Sequence, residues 1–153
     1  MQQQAFAAMV AWMRLERALE AYEAELRRRF GLTRLQVAVL TMLTERPMLP
    51  LAAIRKALVA HAATLGQSID ELRRKGLVIV RTDPDDRRAR NVGLTEAGTA
   101  LVAELPLAGP ARLRTIEGEA QRLDRLAASL ADAVPLFGLE AWEPGRKKGP
   151  PAA

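Results

Sequence analysis

Asp86-Arg87-Arg88-Ala89-Arg90-Asn91-Val92-Gly93-Leu94-Thr95-Glu96-Ala97-Gly98 joins a charged turn, a short strand-forming run and a capped helix start. In that order the three pieces project a basic loop from a small sheet. Upstream, Leu72-Arg73-Arg74-Lys75-Gly76-Leu77-Val78 reads as a helix that stops at Gly76 and opens directly into a strand. Leu77-Val78-Ile79-Val80-Arg81 and Arg90-Asn91-Val92-Gly93-Leu94 are the paired strands, which leaves about 82–89 as the hairpin tip, with Asp83-Pro84-Asp85 as its turn chemistry.

Working outward, the flanks are helical. Residues of about 4–29 carry two apolar rows: Trp12, Leu15, Leu19, Tyr22, Leu26 and Phe30 on one side, and Phe6, Met9, Val10 and Met13 toward the N-terminal end. Gly31 stops this helix. Thr33-Arg34-Leu35-Gln36 is a capping box for a second helix over about 34–45, apolar almost all round and therefore expected to be the most buried element. Pro47 and Pro50 bracket a short connection, and Leu51, Ile54 and Leu58 mark a short third helix.

The fourth helix, about 61–75, has an inward row of Leu65, Ile69 and Leu72 and an outward row of Thr64, Gln67, Ser68, Glu71 and Lys75. Two short helices joined by a tight turn, the second with an uncharged hydrogen-bonding face, suggest a helix-turn-helix. Thr95 can cap a fifth helix from about 96 that ends near Pro106, Gly109-Pro110 adds a further break, and a sixth helix is expected over about 116–134.

Composition narrows the classes. The 153 residues are 49% hydrophobic but only 4% aromatic, so the core must rest on Ala, Leu and Val, as in a mostly helical protein. Lys and Arg number 23 against 18 acidic residues. Between Arg73 and Arg90 seven basic residues face three acidic ones, a local +4 that suits a polyanion, although a solvated helix end followed by a charged turn has the same composition. There is no cysteine and a single histidine, His61, which removes thiol redox chemistry, disulfides and Cys-based zinc sites. No metal, no cofactor and no catalytic site is assigned: there is no glycine-rich phosphate loop and no nucleophile beside a histidine. Nothing approaches the ~18 uninterrupted apolar residues of a membrane span and the N-terminus lacks the layout of a signal peptide, so a soluble cytoplasmic protein with no membrane partner is expected.

The element order, with Asp86-x-Arg88, five residues, then Leu94-Thr95-x-x-Gly98, and with Asp70 to Val78 before it, resembles the multiple-antibiotic-resistance regulator (MarR) family of bacterial transcription factors. The resemblance spans roughly 5–134, with motif-quality similarity over about 65–98. It implies a mainly α, α+β winged helix-turn-helix fold in the order α-α-α-α-β-β-α-α, divided into an N-terminal dimerisation helix (1–32), a DNA-binding lobe (33–95), C-terminal dimerisation helices (96–136) and a disordered tail (137–153).

By the same resemblance, the chain is a ligand-responsive repressor that binds a near-palindromic duplex as a homodimer. Thr64, Gln67 and Ser68 would read the major groove, Gln67 by a bidentate bond to adenine. Arg87 would enter the minor groove, supported by Arg88 and Arg90, while Asp86 pairs with Arg88 to hold the tip in shape. The effector implied is a small aromatic or phenolic molecule, with Trp12 as a weak candidate contact.

Two positions depart from the family pattern. Val59-Ala60-His61-Ala62-Ala63 replaces the more common glycine and serine-rich turn, and Gln67 stands where a basic residue is usual. These changes leave open an alternative, a winged-helix interaction or scaffold module with weak or lost DNA binding.

Overall fold

The computed structural model describes residues 1–144. The chain forms α1 (Gln2–Phe30), α2 (Arg34–Glu45), β1 (Leu49–Pro50), α3 (Leu51–Ala57), α4 (Ala62–Arg74), β2 (Val78–Thr82), β3 (Arg90–Leu94), α5 (Glu96–Glu104) and α6 (Ala120–Leu136). Short 3-10 helices lie at Gly109–Thr115 and Glu140–Trp142. This is the mainly helical winged helix-turn-helix expected.

It divides into two compact units, Met1–Ala111 and the segment from Arg112 onward. In the first unit, Gly31 ends α1 with φ 64°, a left-handed conformation that costs glycine nothing. Its N–H donates to Arg27 O at 3.0 Å. Thr33 Oγ1 accepts from Gln36 N at 3.1 Å and Gln36 Oε1 accepts from Thr33 N at 3.0 Å, so the capping box is complete.

Helix α2 is the most buried, contributing Gln36, Val37, Val39, Leu40 and Leu43. Around it close Leu26, Leu32, Ile54, Leu65, Ile69, Leu72, Val78 and Val92. A leucine fully withdrawn from water contributes roughly 1.5–3 kcal/mol, so this aliphatic cluster dominates the unit's cohesion, with Tyr22 and Phe30 packed against its edge. Helix α5, grouped by sequence with the dimerisation helices, packs on α2 within this unit.

The sheet has three strands in the order β1-β3-β2, all antiparallel. Val80 and Leu49 flank Val92 on either side. The sequence reading had only the hairpin. Strand β1 is two residues long and begins just after Pro47, too short to show alternation, so it read as a connection.

In the second unit α6 begins at Ala120, four residues later than expected, because Gly118 takes φ 74° and leaves Ile116 outside the helix. No residue of α6 is buried, and Leu126 and Leu130 are 40% and 47% exposed. Of the tail expected to be disordered, Glu140–Trp142 forms a helical turn; residues 145–153 lie outside the described part.

Candidate nucleic-acid interface

Between β2 and β3 the wing is held open by its own acidic residues. Asp83 Oδ1 accepts from the backbone N–H of Asp85 at 2.8 Å and of Asp86 at 3.3 Å, and its Oδ2 accepts from Asn91 Nδ2 at 3.1 Å. The Asp85 N–H, then the Asn91 amide, hold the Asp83 carboxyl below its ordinary range. Asp86 Oδ1 accepts from the Arg88 backbone N–H at 2.9 Å, so the expected Asp86–Arg88 pairing runs through the main chain and leaves the guanidinium free to point elsewhere.

Sequence reasoning credited Asp86 with shaping the tip and treated Asp83 only as a turn residue. The missed signal was Asp-Pro-Asp itself, since an aspartate that opens such a turn bonds the backbone two residues on.

Arg87, Arg88 and Arg90 are exposed on this frame. Arg88 and Arg90 also border a crevice of about 330 Å³ with Arg55 of α3, floored by Pro50, Leu51 and Leu65. Arg55 was not singled out in the sequence, because its partners are brought to it only by the fold. Among the described residues none of these four guanidiniums makes an ion pair with a carboxylate. A cluster of unneutralised guanidiniums is a standing attraction for phosphate.

Helix α4 presents Thr64 and Gln67 to solvent. Ser68 is a correction: at 8% exposure it is buried with Leu65, Ile69 and Leu72. Position 68 stands four residues after Thr64 and three after Leu65, so both helical rows claim it, and packing against α2 assigned it inward. Glu71, by contrast, is half-buried and reaches across to α2, where its Oε2 accepts from Gln36 Nε2 at 2.7 Å. Its other oxygen lies 3.5 Å from Gln67 Nε2.

The inner side of α4 borders a second crevice of about 550 Å³, lined by Tyr22, Glu23, Arg34, Thr64, Ser68 and Pro110 among others. Tyr22 donates to Pro106 O at 3.2 Å, and burial pushes its pKa up. Arg34 Nε donates to Glu23 Oε2 at 3.1 Å. The Arg27 and Arg34 guanidiniums hold the Glu23 carboxyl below the usual range, Arg27 contributing most. Trp12 does not line this crevice and is 44% exposed further along α1. His61 caps α4 in position only, with no side-chain bond to the helix. Among the described residues there is no group of three or more metal-ligating side chains, and no helix is long and apolar enough to cross a membrane.

Comparison with known proteins agrees with this geometry. A profile of the MarR family matches residues 30–89. The transcriptional regulator HosA of Escherichia coli O111:H- is 35% identical over 72 residues, which cover 47% of this chain and 53% of HosA, so the chain spans about half the length of that curated relative. The solved structure of Bordetella bronchiseptica BpsR, described for regulation of its DNA binding by 6-hydroxynicotinic acid, is 30% identical with a TM-score of 0.58, covering 78% of this chain and 91% of that one. The S. aureus MepR–DNA complex shares the fold at 22% identity and a TM-score of 0.64, over 84% of this chain and 97% of that one. With the winged helix, its arginine-tipped hairpin and these likenesses together, the chain belongs to the MarR family.

Proposed function

We propose that this protein is a DNA-binding transcription regulator, a repressor that grips a near-palindromic duplex as a homodimer and lets go when a small aromatic acid binds. The observation that carries the reading is the convergence of Arg55, Arg88 and Arg90 beside α4, with Arg87 at the wing tip and no carboxylate paired to any of them. Thr64 and Gln67 are the base-reading candidates, Arg87 the minor-groove one, and Arg55 with Arg88 and Arg90 the phosphate contacts. Ser68 is withdrawn from the reading set by its burial.

Exposed apolar rows support the homodimer. Phe6, Met9, Trp12, Met13 and Leu15 leave α1 largely uncovered, and α6 exposes its own Leu126 and Leu130. Each is a surface that a second copy of the chain would remove from water.

The crevice of about 550 Å³ is of a size to hold a small ligand. Arg34, which is paired with Glu23, is the cation that an acidic group could share, and Tyr22 offers its ring. BpsR is the relative described with such a ligand, 6-hydroxynicotinic acid. Because Thr64 and Ser68 line this crevice while Gln67 faces outward from the same helix, a ligand that favours one setting of α4 shifts DNA affinity by its differential binding to the two settings.

Titration of the protein onto duplex DNA from its own upstream region, at several salt concentrations, tests the proposal. Binding that falls steeply with salt, and whose salt slope is reduced by about one in Arg55→Ala or Arg87→Ala, is expected. Salt-independent or absent binding to any duplex would favour the interaction-module alternative.

A further inference from the structure

Three contacts join four hydrogen-bonding groups from the N-terminus of α2 to the outer face of α4. Each has a direction that the previous one dictates. The Thr33 backbone N–H can only donate, so the oxygen of the Gln36 amide must face it, at 3.0 Å. The Gln36 NH2 is thereby turned toward Glu71 Oε2, at 2.7 Å, on a side chain only 1% exposed. Glu71 Oε1 is left facing Gln67, whose Nε2 stands 3.5 Å away on the exposed surface. A carboxylate offers acceptors only, so Gln67 must meet it with its NH2 group.

We propose that Glu71, locked by Gln36, is the positioning residue that fixes the amide of Gln67 and so sets which base α4 selects. This rests on the reading of α4 as the major-groove helix. One Gln67 N–H is directed at Glu71, at the long end of hydrogen-bond range. The remaining outward pair is the carbonyl oxygen and the second N–H, an acceptor beside a donor. That pair matches the N6 amino group and N7 of adenine. Guanine presents two acceptors, O6 and N7, and would set one of them against the Gln67 carbonyl. An amide free to rotate could give both N–H groups to guanine instead; the anchored one cannot.

The same relay says what reversing Glu71 does. In Glu71→Gln the side chain has a single carbonyl oxygen, and the buried Gln36 NH2 holds first claim on it. The new NH2 group then faces Gln67, which must turn its own oxygen inward and present its N–H groups to the groove. The preferred base should move from adenine to guanine. Removing a carboxylate that would otherwise lie near phosphates should at the same time leave overall affinity unchanged or raise it.

Selection from a randomised duplex pool by the full-length protein, compared among the parent, Gln67→Ala and Glu71→Gln, tests this, with thermal unfolding measured for each. The parent should enrich adenine at one position, Gln67→Ala should lose that enrichment, and Glu71→Gln should change the adenine-to-guanine ratio there by about tenfold or more. The preferences at bases under the wing should not move. A Glu71 that merely supported the fold would lower affinity and stability together without altering one base. Adenine preference that depends on Gln67 and survives in Glu71→Gln overturns the positioning role alone. Selection unaffected by Gln67→Ala overturns it as well, by removing Gln67 from the readout. Failure of the parent to enrich any duplex takes away the DNA-binding reading along with it.

Discussion

Asn91 Nδ2 donates to Asp83 Oδ2 at 3.1 Å, tying the central strand β3 to the first residue of the wing turn. The other oxygen of Asp83 gathers two backbone N–H groups, so one half-exposed carboxylate sets the shape of the whole tip. Its pKa is lowered in the folded protein, first by the Asp85 N–H and then by Asn91. The contribution is therefore full above the ordinary aspartate value and is lost as the pH falls through the lower folded-state midpoint. A carboxyl NMR titration should place the Asp83 midpoint below that of an ordinary aspartate. Asp83→Ala should weaken duplex binding while leaving the melting temperature nearly unchanged, because only the arginine-bearing tip loses its frame.

Gly98 sits where α5 meets the start of β2, with its N–H donating to Thr95 Oγ1 at 3.0 Å. A methyl group there would run into the Leu77 carbonyl oxygen and lie 2.9 Å from Leu94 Cδ2. Backbone cannot yield as a side chain does. Gly98→Ala should thus destabilise by about 1–3 kcal/mol, the range for overpacking a tight contact, read as a lowered urea midpoint. Gly66→Ala, where nothing stands within 4 Å, is the matched control and should be neutral or slightly stabilising.

Much of this architecture was legible from local signals, and the failures have physical causes. The capping box at Thr33 and Gln36, the glycine stops at Gly31 and Gly76 and the β-branched runs of the hairpin are short-range signals, and the elements formed within one or two residues of where they were expected. What sequence could not supply was which side of a shared row would be buried. Ser68 satisfied both faces of α4 until α2 packed against it, and Arg55 became a neighbour of Arg88 and Arg90 only after β1 had joined the sheet. Glu71 looked like an ordinary surface charge; its partner Gln36 is 35 residues away and already explained as a capping residue.

Tyr22 is the only tyrosine in the chain, so the change in ultraviolet absorbance on phenol ionisation reports on it alone. Burial raises its pKa, and its hydroxyl donates to Pro106 O. The neutral form is the one the fold favours, so the stabilisation it contributes is complete below the unfolded-state value of about 10 and is lost as pH rises through the higher folded midpoint. Spectrophotometric titration should show that higher midpoint, returning to about 10 in urea. Tyr22→Phe should cost roughly 0.5–1.5 kcal/mol, the worth of one intramolecular hydrogen bond. A titration at the ordinary value in the folded protein would mean the hydroxyl is open to water.

The turn before α4 carries two correctable faults. Val59 takes φ 50°, a left-handed conformation in which a β-branched side chain crowds its own backbone, and it is 65% exposed, so no packing compensates. Two residues on, His61 occupies the N-cap of α4 without a side-chain bond to the free N–H groups of the first turn. Glycine removes the crowding and serine supplies the missing acceptor. Val59→Gly should stabilise by about 1 kcal/mol, and His61→Ser by a similar amount of about 1 kcal/mol. Each would raise the melting temperature by roughly 2–4 °C for a protein of this size. Because position 61 is the N-cap of the helix that bears Thr64 and Gln67, supplying the missing cap through His61→Ser should also tighten duplex binding, whereas Val59→Gly acts on the connecting turn and should change stability more than affinity. Calorimetric melting of the two single variants, alongside duplex titration, separates the effects; a destabilised Val59→Gly would mean that the positive φ carries no strain.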